Sequence, residues 1–107
     1  MPLESYFQSD LIKELKKRFP EAIILKNDPN YLQGFPDVLI LYEDRWAVLE
    51  TKRGSGSSHR PNQNYYVEKA NEMSFGAFIS PENKEQVLDE LQQAFRNRRP
   101  TRLPGRF

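Results

Sequence analysis

Gly34-Phe35-Pro36-Asp37-Val38-Leu39-Ile40-Leu41-Tyr42, then Glu43-Asp44, then Arg45-Trp46-Ala47-Val48-Leu49-Glu50-Thr51-Lys52 is the stretch that decides the fold. Its β-branched and aromatic runs read as two strands, Asp37 to Tyr42 and Arg45 to Lys52, joined at the acidic dipeptide. With the turn centred there, Leu41 opposes Trp46, Leu39 opposes Val48 and Asp37 opposes Glu50. Opposed residues share a sheet face with their Cβ atoms ~4.5–5.5 Å apart. Lys52, two residues beyond Glu50, falls on that face as well. The strand ends then gather two carboxylates and an ammonium beside an otherwise apolar face of Leu39, Leu41, Trp46 and Val48. Glu43-Asp44 is not the favoured Asn-Gly type of turn, so the register rests on parity, and a slip of one residue would send the acids to opposite faces.

Carboxylates this close raise each other's pKa unless a cation lies between them. Two of them, a backbone carbonyl and waters form a donor set that suits a hard divalent cation such as Mg²⁺. A salt-bridged hairpin end, with Lys52 simply neutralising the acids, fits the same geometry.

Outward from the hairpin, residues 3–18 have the spacing of an amphipathic helix, with Phe7, Leu11, Leu15 and Ile12, Leu15, Phe19 recurring, and Pro20 ends it. Ala22 to Leu25 reads as a short strand, and Asn27 to Pro36 as a loop. After the Gly/Ser segment 54–58, Pro61 opens a second helix to about Met73, with Tyr66, Val67, Ala70 and Met73 along one face. Gly76 to Ser80 reads as a strand. Ser80-Pro81-Glu82 is then expected to cap a last helix with a buried stripe of Val87, Leu88, Leu91 and Phe95. The order α-β-β-β-α-β-α gives an α/β single domain over residues 1–107, with a basic segment at 96–107. Trp46, Tyr65, Tyr66, Phe75 and Phe78 are expected to pack in the core.

Composition narrows the chemistry. The 107 residues include no cysteine and one histidine, His59, which excludes disulfides, thiolate zinc sites, cysteine nucleophiles and multi-histidine metal sites. No serine triad suggests itself. No apolar run approaches the ~18–20 residues of a spanning helix, and Met1 is not followed by a signal-like segment, which points to the cytoplasm. The net charge of +1 hides an asymmetry: residues 1–95 hold 11 Lys/Arg against 15 Asp/Glu, whereas 96–107 hold Arg96, Arg98, Arg99, Arg102 and Arg106 and no acid. Such a segment reads as an arm for a polyanion, or as a basic complement to a helix C-terminus. Lys52, Arg53, His59 and Arg60 form a second basic cluster around the Gly/Ser loop.

Taken together, Pro36-Asp37, a hairpin and Glu50-Thr51-Lys52 resemble the PD-(D/E)XK nuclease superfamily. With Glu4 opening the first helix, Gly34-Phe35-Pro36-Asp37 before the second strand and Gln63 after the third, the pattern is more similar to the VRR-NUC branch, in a stand-alone phage or bacterial form. Thr51 departs from the aliphatic residue common between the acid and the lysine, and its hydroxyl needs a partner on the opposite sheet face.

The resemblance implies a restriction-endonuclease-like core: a central mixed sheet flanked by helices. It implies that Asp37, Glu50 and the Thr51 carbonyl hold Mg²⁺, with Mn²⁺ able to substitute, and that Lys52 serves the attacking water and the transition state. Glu4 is either a further metal or metal-water ligand or an acid favoured in a first helical turn. Gln63 would meet Lys52 or a substrate phosphate. Lys26 and Asn27 either approach the scissile phosphate or are ordinary edge residues. Ser55, Ser57 and Ser58 either bind phosphates or keep their loop soluble. Lys26, Arg53, Ser57, Ser58, Arg60, Arg98, Arg99 and Arg102 make up the expected DNA contacts.

The implied activity is a DNA nuclease leaving 5′-phosphates, a structure-selective endonuclease similar to Holliday-junction resolvases, acting as a homodimer in a bacterial or phage-infected cytoplasm. The first helix and the loop at 28–36 are candidate dimer contacts. A single-strand or end-directed exonuclease with the same site, and a non-catalytic DNA-binding accessory protein on the same scaffold, are the alternatives.

Overall fold

The computed structural model describes residues 3–54 and 56–96, with side chains from residue 6 onward. The elements are α1 (Leu3–Arg18), β1 (Ile23–Lys26), β2 (Val38–Tyr42), β3 (Arg45–Thr51), α2 (Pro61–Met73), β4 (Gly76–Ile79) and α3 (Lys84–Arg96). This is the order expected from the sequence.

One mixed sheet runs β1-β2-β3-β4, antiparallel across its first three strands and parallel between β3 and β4. The β2–β3 hairpin pairs Leu39 with Val48 and Leu41 with Trp46, the parity expected from the sequence. The two-residue turn closes because Glu43 takes a left-handed conformation at φ 56°, which costs a residue with a Cβ ~1–2 kcal/mol.

Alternation along the strands sorts side chains onto two faces. Val38, Ile40, Ala47, Leu49 and Ile79 face one way and pack with Leu11, Leu15 and Phe19 of α1 and its exit and with Val87, Leu88, Leu91 and Phe95 of α3. An aromatic cluster closes one end of this layer, with Tyr42 stacked on Phe95 at 5.1 Å and Phe19 edge-on to both. On the opposite face α2 lies over β3 and β4. It comes so close that a Cβ on Gly76 would sit 2.5 Å from the Val67 carbonyl oxygen. Covered from both sides, β3 is buried from Ala47 through Thr51.

Because α2 covers only half of its face, Leu41 is exposed, together with Ile23 and Leu25 on β1. One expectation is corrected: Tyr65, expected in the core, is exposed, as is Met73 at the end of α2. Trp46, Tyr66, Phe75 and Phe78 are half-buried. A second correction concerns α3, which starts at Lys84. Ser80-Pro81-Glu82-Asn83 forms a turn closed by Asn83 N–H donating to the Ser80 carbonyl at 3.2 Å, with proline at its favoured second position. Asn83 Oδ1 accepts the Ser80 N–H at 2.7 Å, and its carbonyl accepts the first helical bond from Val87. Arg96 closes α3, and residues 97–107 lie outside the described residues.

A polar network ties α1 to α3. Lys84 donates to Glu14 at 2.9 Å, and Arg18 reaches Glu14, Glu85 and Asp89. The Lys84 hydrogen bond holds the Glu14 carboxyl below its ordinary value, against a smaller opposing effect of burial, and the same bond raises the Lys84 ammonium. The lowered acid stabilises the fold above its unfolded pKa of about 4.3, and that contribution disappears as pH falls through the folded value. The raised ammonium contributes fully below about 10.4 and loses its contribution as pH rises through its folded value. Glu14→Gln is therefore expected to lower stability by about 1 kcal/mol in urea unfolding at pH 7 and to have no effect at pH 2.

Candidate active site

The segment Gly34 to Asp37 is clamped before it enters β2. Gly34 has φ 87°, and the Asn62 side chain of α2 occupies the place its Cβ would take. Asn62 Nδ2 donates to the Gln33 carbonyl at 3.1 Å, and Phe35 packs edge-on against Tyr66. From the other side, Asn27 donates its N–H to the Asp37 carbonyl and its Nδ2 to the Pro36 carbonyl, both at 2.7 Å. Pro36 is fully buried. Asn27 therefore positions the Asp37 backbone. Its residue type is that of a loop punctuator, and nothing in the sequence pairs it with the turn nine residues later.

Asp37 stands one step outside the β2–β3 ladder, opposite Glu50 by continuation of the register. Its Oδ2 accepts the Thr51 N–H at 2.9 Å and the Thr51 hydroxyl at 2.6 Å. The Thr51 hydroxyl also accepts Gln8 Nε2 from α1 at 3.0 Å, so the partner that the sequence required on the opposite face is found. Gln8 was missed from the sequence, because hydrophobic periodicity is blind to a polar residue on an inward face. The available signal was its place one helical turn beyond Glu4. The Glu4 side chain lies outside the described residues.

Glu50 and Lys52, at the end of β3, are buried, 4% and 9% exposed. The Lys52 Nζ lies 4.0 Å from Glu50 Oε2. Gln63 joins the pair: its Nε2 donates to Glu50 Oε2 at 3.1 Å, and its Oε1 accepts Lys52 Nζ at 2.8 Å. The same Oε1 accepts the Arg60 N–H at 3.1 Å. Gln63 is thus the third residue of α2, satisfying the backbone before Pro61 at the first position while it orients the buried pair. The Ser58 carbonyl takes a second Lys52 hydrogen bond at 3.2 Å.

Asp37, Glu50, Lys52 and Gln63 are therefore brought together at one edge of the sheet. The expected DNA contacts are dispersed around them. Arg53, Ser58, His59 and Arg60 are exposed on the loop beside Lys52, Ser57 is half-buried there, and Lys26 is exposed at the end of β1. Ser55, Arg98, Arg99 and Arg102 lie outside the described residues. A cavity of about 170 Å³ opens next to Lys52, bordered by His59, Phe78 and Ser80, with the imidazole stacked on the Phe78 ring at 3.8 Å.

No group of three or more His, Cys, Asp or Glu side chains able to hold a metal occurs among the described residues. Mg²⁺ needs no such cage: one or two carboxylates with waters and phosphate oxygens suffice. The donors here are hard oxygens, and Asp37 Oδ1 is the carboxylate oxygen that Thr51 does not engage. The set fits a divalent cation.

No protein-family profile and no curated protein sequence matches the chain. Among solved structures the chain is similar to a VRR_NUC domain protein, at 17% identity and a TM-score of 0.61 over 90% of each chain. The fold is VRR-NUC-like. That places the mixed sheet and its three helices in the restriction-endonuclease-like architecture, the fold that the sequence resemblance implies.

Lys52→Met removes the ammonium beside the buried Glu50 and is expected to lower unfolding free energy by about 3 kcal/mol at pH 7. Adding Glu50→Gln should recover part of that loss in a double-mutant cycle by urea unfolding. Strictly additive losses would show that the two groups do not interact.

Proposed function

We propose that the chain is a metal-dependent nuclease that hydrolyses DNA phosphodiester bonds. The observation that carries this reading is the buried Glu50–Lys52 pair oriented by Gln63, next to Asp37, on a VRR-NUC-like fold. Asp37 and Glu50, with the Thr51 carbonyl, would hold Mg²⁺ or Mn²⁺. When bound, the ion supplies an acidified water and positive charge against the phosphodiester.

The chain's own residues supply the rest. The Lys52 ammonium has three N–H donors, and two are directed at Gln63 and Ser58. The third serves the attacking water or a phosphate oxygen, where its charge offsets that developing in the transition state. Gln63 bridges Lys52 and Glu50, accepting from the first and donating to the second. Arg53 and Arg60 flank this edge and would contact the nucleic-acid backbone, aided by the arginines of 97–107.

We further propose a structure-selective endonuclease leaving 5′-phosphates and working as a homodimer, resembling junction resolvases. Exposed apolar surface at Ile23, Leu25 and Leu41, and at Tyr31 and Leu32 in the loop after β1, supports a self-association face. A two-fold pair suits symmetric cutting of two strands.

A panel of junction, flap, splayed-arm, single-stranded and duplex DNA with Mg²⁺ or Mn²⁺ tests the reading. Cleavage is expected to fall about 100-fold or more in Asp37→Ala, Glu50→Ala and Lys52→Ala. Three variants that cut like the parent would remove the site assignment. Deleting residues 98–107 is expected to weaken DNA binding and flatten its salt dependence while leaving metal-dependent cleavage in place.

A further inference from the structure

Thr51 is fully buried at the end of β3, and it gives both of its protons to one atom, Asp37 Oδ2. The direction of the hydroxyl proton is fixed from the other side of the sheet. Gln8 Nε2 is a donor, so it occupies a lone pair of the Thr51 oxygen and leaves the hydroxyl proton for Asp37. With Asn27 already holding the backbone at Pro36 and Asp37, the freedom that remains to Asp37 is rotation of its carboxylate. Two donors on one oxygen remove that freedom.

We propose that the Gln8–Thr51 chain positions Asp37, pinning Oδ2 so that Oδ1 is the oxygen presented to a divalent cation. This rests on the nuclease reading of the same site. An aliphatic residue at position 51 would keep the N–H bond to Asp37 and lose the hydroxyl bond. It would also leave the Gln8 amide without its acceptor, so the hydroxyl couples the first helix to the proposed metal ligand. Groups that orient a metal ligand change metal affinity about 10–100-fold when removed, although they do not touch the ion.

The test is Mn²⁺ binding to the full chain, followed by loss of the free-ion paramagnetic resonance signal and by calorimetry, with thermal unfolding alongside. Thr51→Val is expected to weaken Mn²⁺ binding about 10-fold or more, and Thr51→Ser, which restores the hydroxyl, to recover most of it. Gln8→Glu places an acceptor where a donor stood. It draws the Thr51 proton away from Asp37 and is expected to weaken binding similarly with little change in unfolding temperature, since Gln8 is only half-buried. That variant carries the test if Thr51→Val does not fold.

Thr51→Val and Gln8→Glu binding as tightly as the parent would overturn the proposal. So would Thr51→Ser binding as weakly as Thr51→Val, which would reduce Thr51 to a packing residue. Glu50→Ala separates the two layers of the reading. A parent that binds no more Mn²⁺ than Glu50→Ala has no site there, and both the nuclease reading and this inference fall. A parent that binds, with Thr51 and Gln8 indifferent, removes the inference alone.

Discussion

A charged pair sealed inside the protein is the constraint to which the surrounding elements answer. Glu50 and Lys52 are almost wholly removed from water, and stripping hydration from such groups costs several kcal/mol each unless local partners replace it. The partners come from α2. Gln63 can meet both charges only if the helix begins at Pro61 and lies tight against β3 and β4, and the missing side chain of Gly76 permits that approach. The parallel pairing of β4 with β3 then fixes the Lys52 backbone, whose N–H donates to the Ile79 carbonyl at 2.8 Å. Helix start, helix-to-sheet distance and strand pairing are consequences of making one buried pair tolerable.

The two acids are served from opposite sides of the sheet. Glu50 is oriented by α2 through Gln63, and Asp37 by α1 through Gln8 and Thr51. The edge where β2 begins and β3 ends is the place where both layers can reach the same few ångströms. Among the described residues no buried side-chain nitrogen or oxygen lacks a hydrogen-bond partner. A site assembled this way has little slack, since each carboxylate is held by groups whose own hydrogen bonds are directed elsewhere.

The hairpin was legible from the sequence because its constraint is arithmetic. Two short strands and a two-residue turn leave one parity in which Leu39 meets Val48, and the left-handed Glu43 permits it even without the favoured turn residues. Periodicity likewise showed which residues share a face. It could not show what covers that face, and so Tyr65, expected inside, is exposed, as is Leu41 where α2 does not reach. Ser80-Pro81-Glu82 carried the signature of a helix start, yet the same residue types make a turn when an asparagine follows to close it. Of the candidate site, Asp37, Glu50, Lys52 and Gln63 were readable as motif and spacing. Gln8 and the clamp by Asn27 were not, because a side-chain amide seeks its partner in space and leaves no period along the chain.

Charge placement bears on how a polyanion could approach a body that carries more acid than base over residues 1–95. Three of those acids, Glu14, Glu85 and Asp89, are matched to Arg18 and Lys84 on the far layer. At physiological ionic strength exposed charges are screened over about 8 Å, so a paired patch across the sheet contributes little field at the edge holding Lys52. What a ligand meets there is set locally, by Arg53 and Arg60 outside and by Lys52 within. Within the site itself two carboxylates face one buried ammonium, while Arg53 and Arg60 add their charge from the exposed loop outside. In the proposed chemistry, a divalent cation at the two carboxylates would add positive charge where a phosphodiester would meet them.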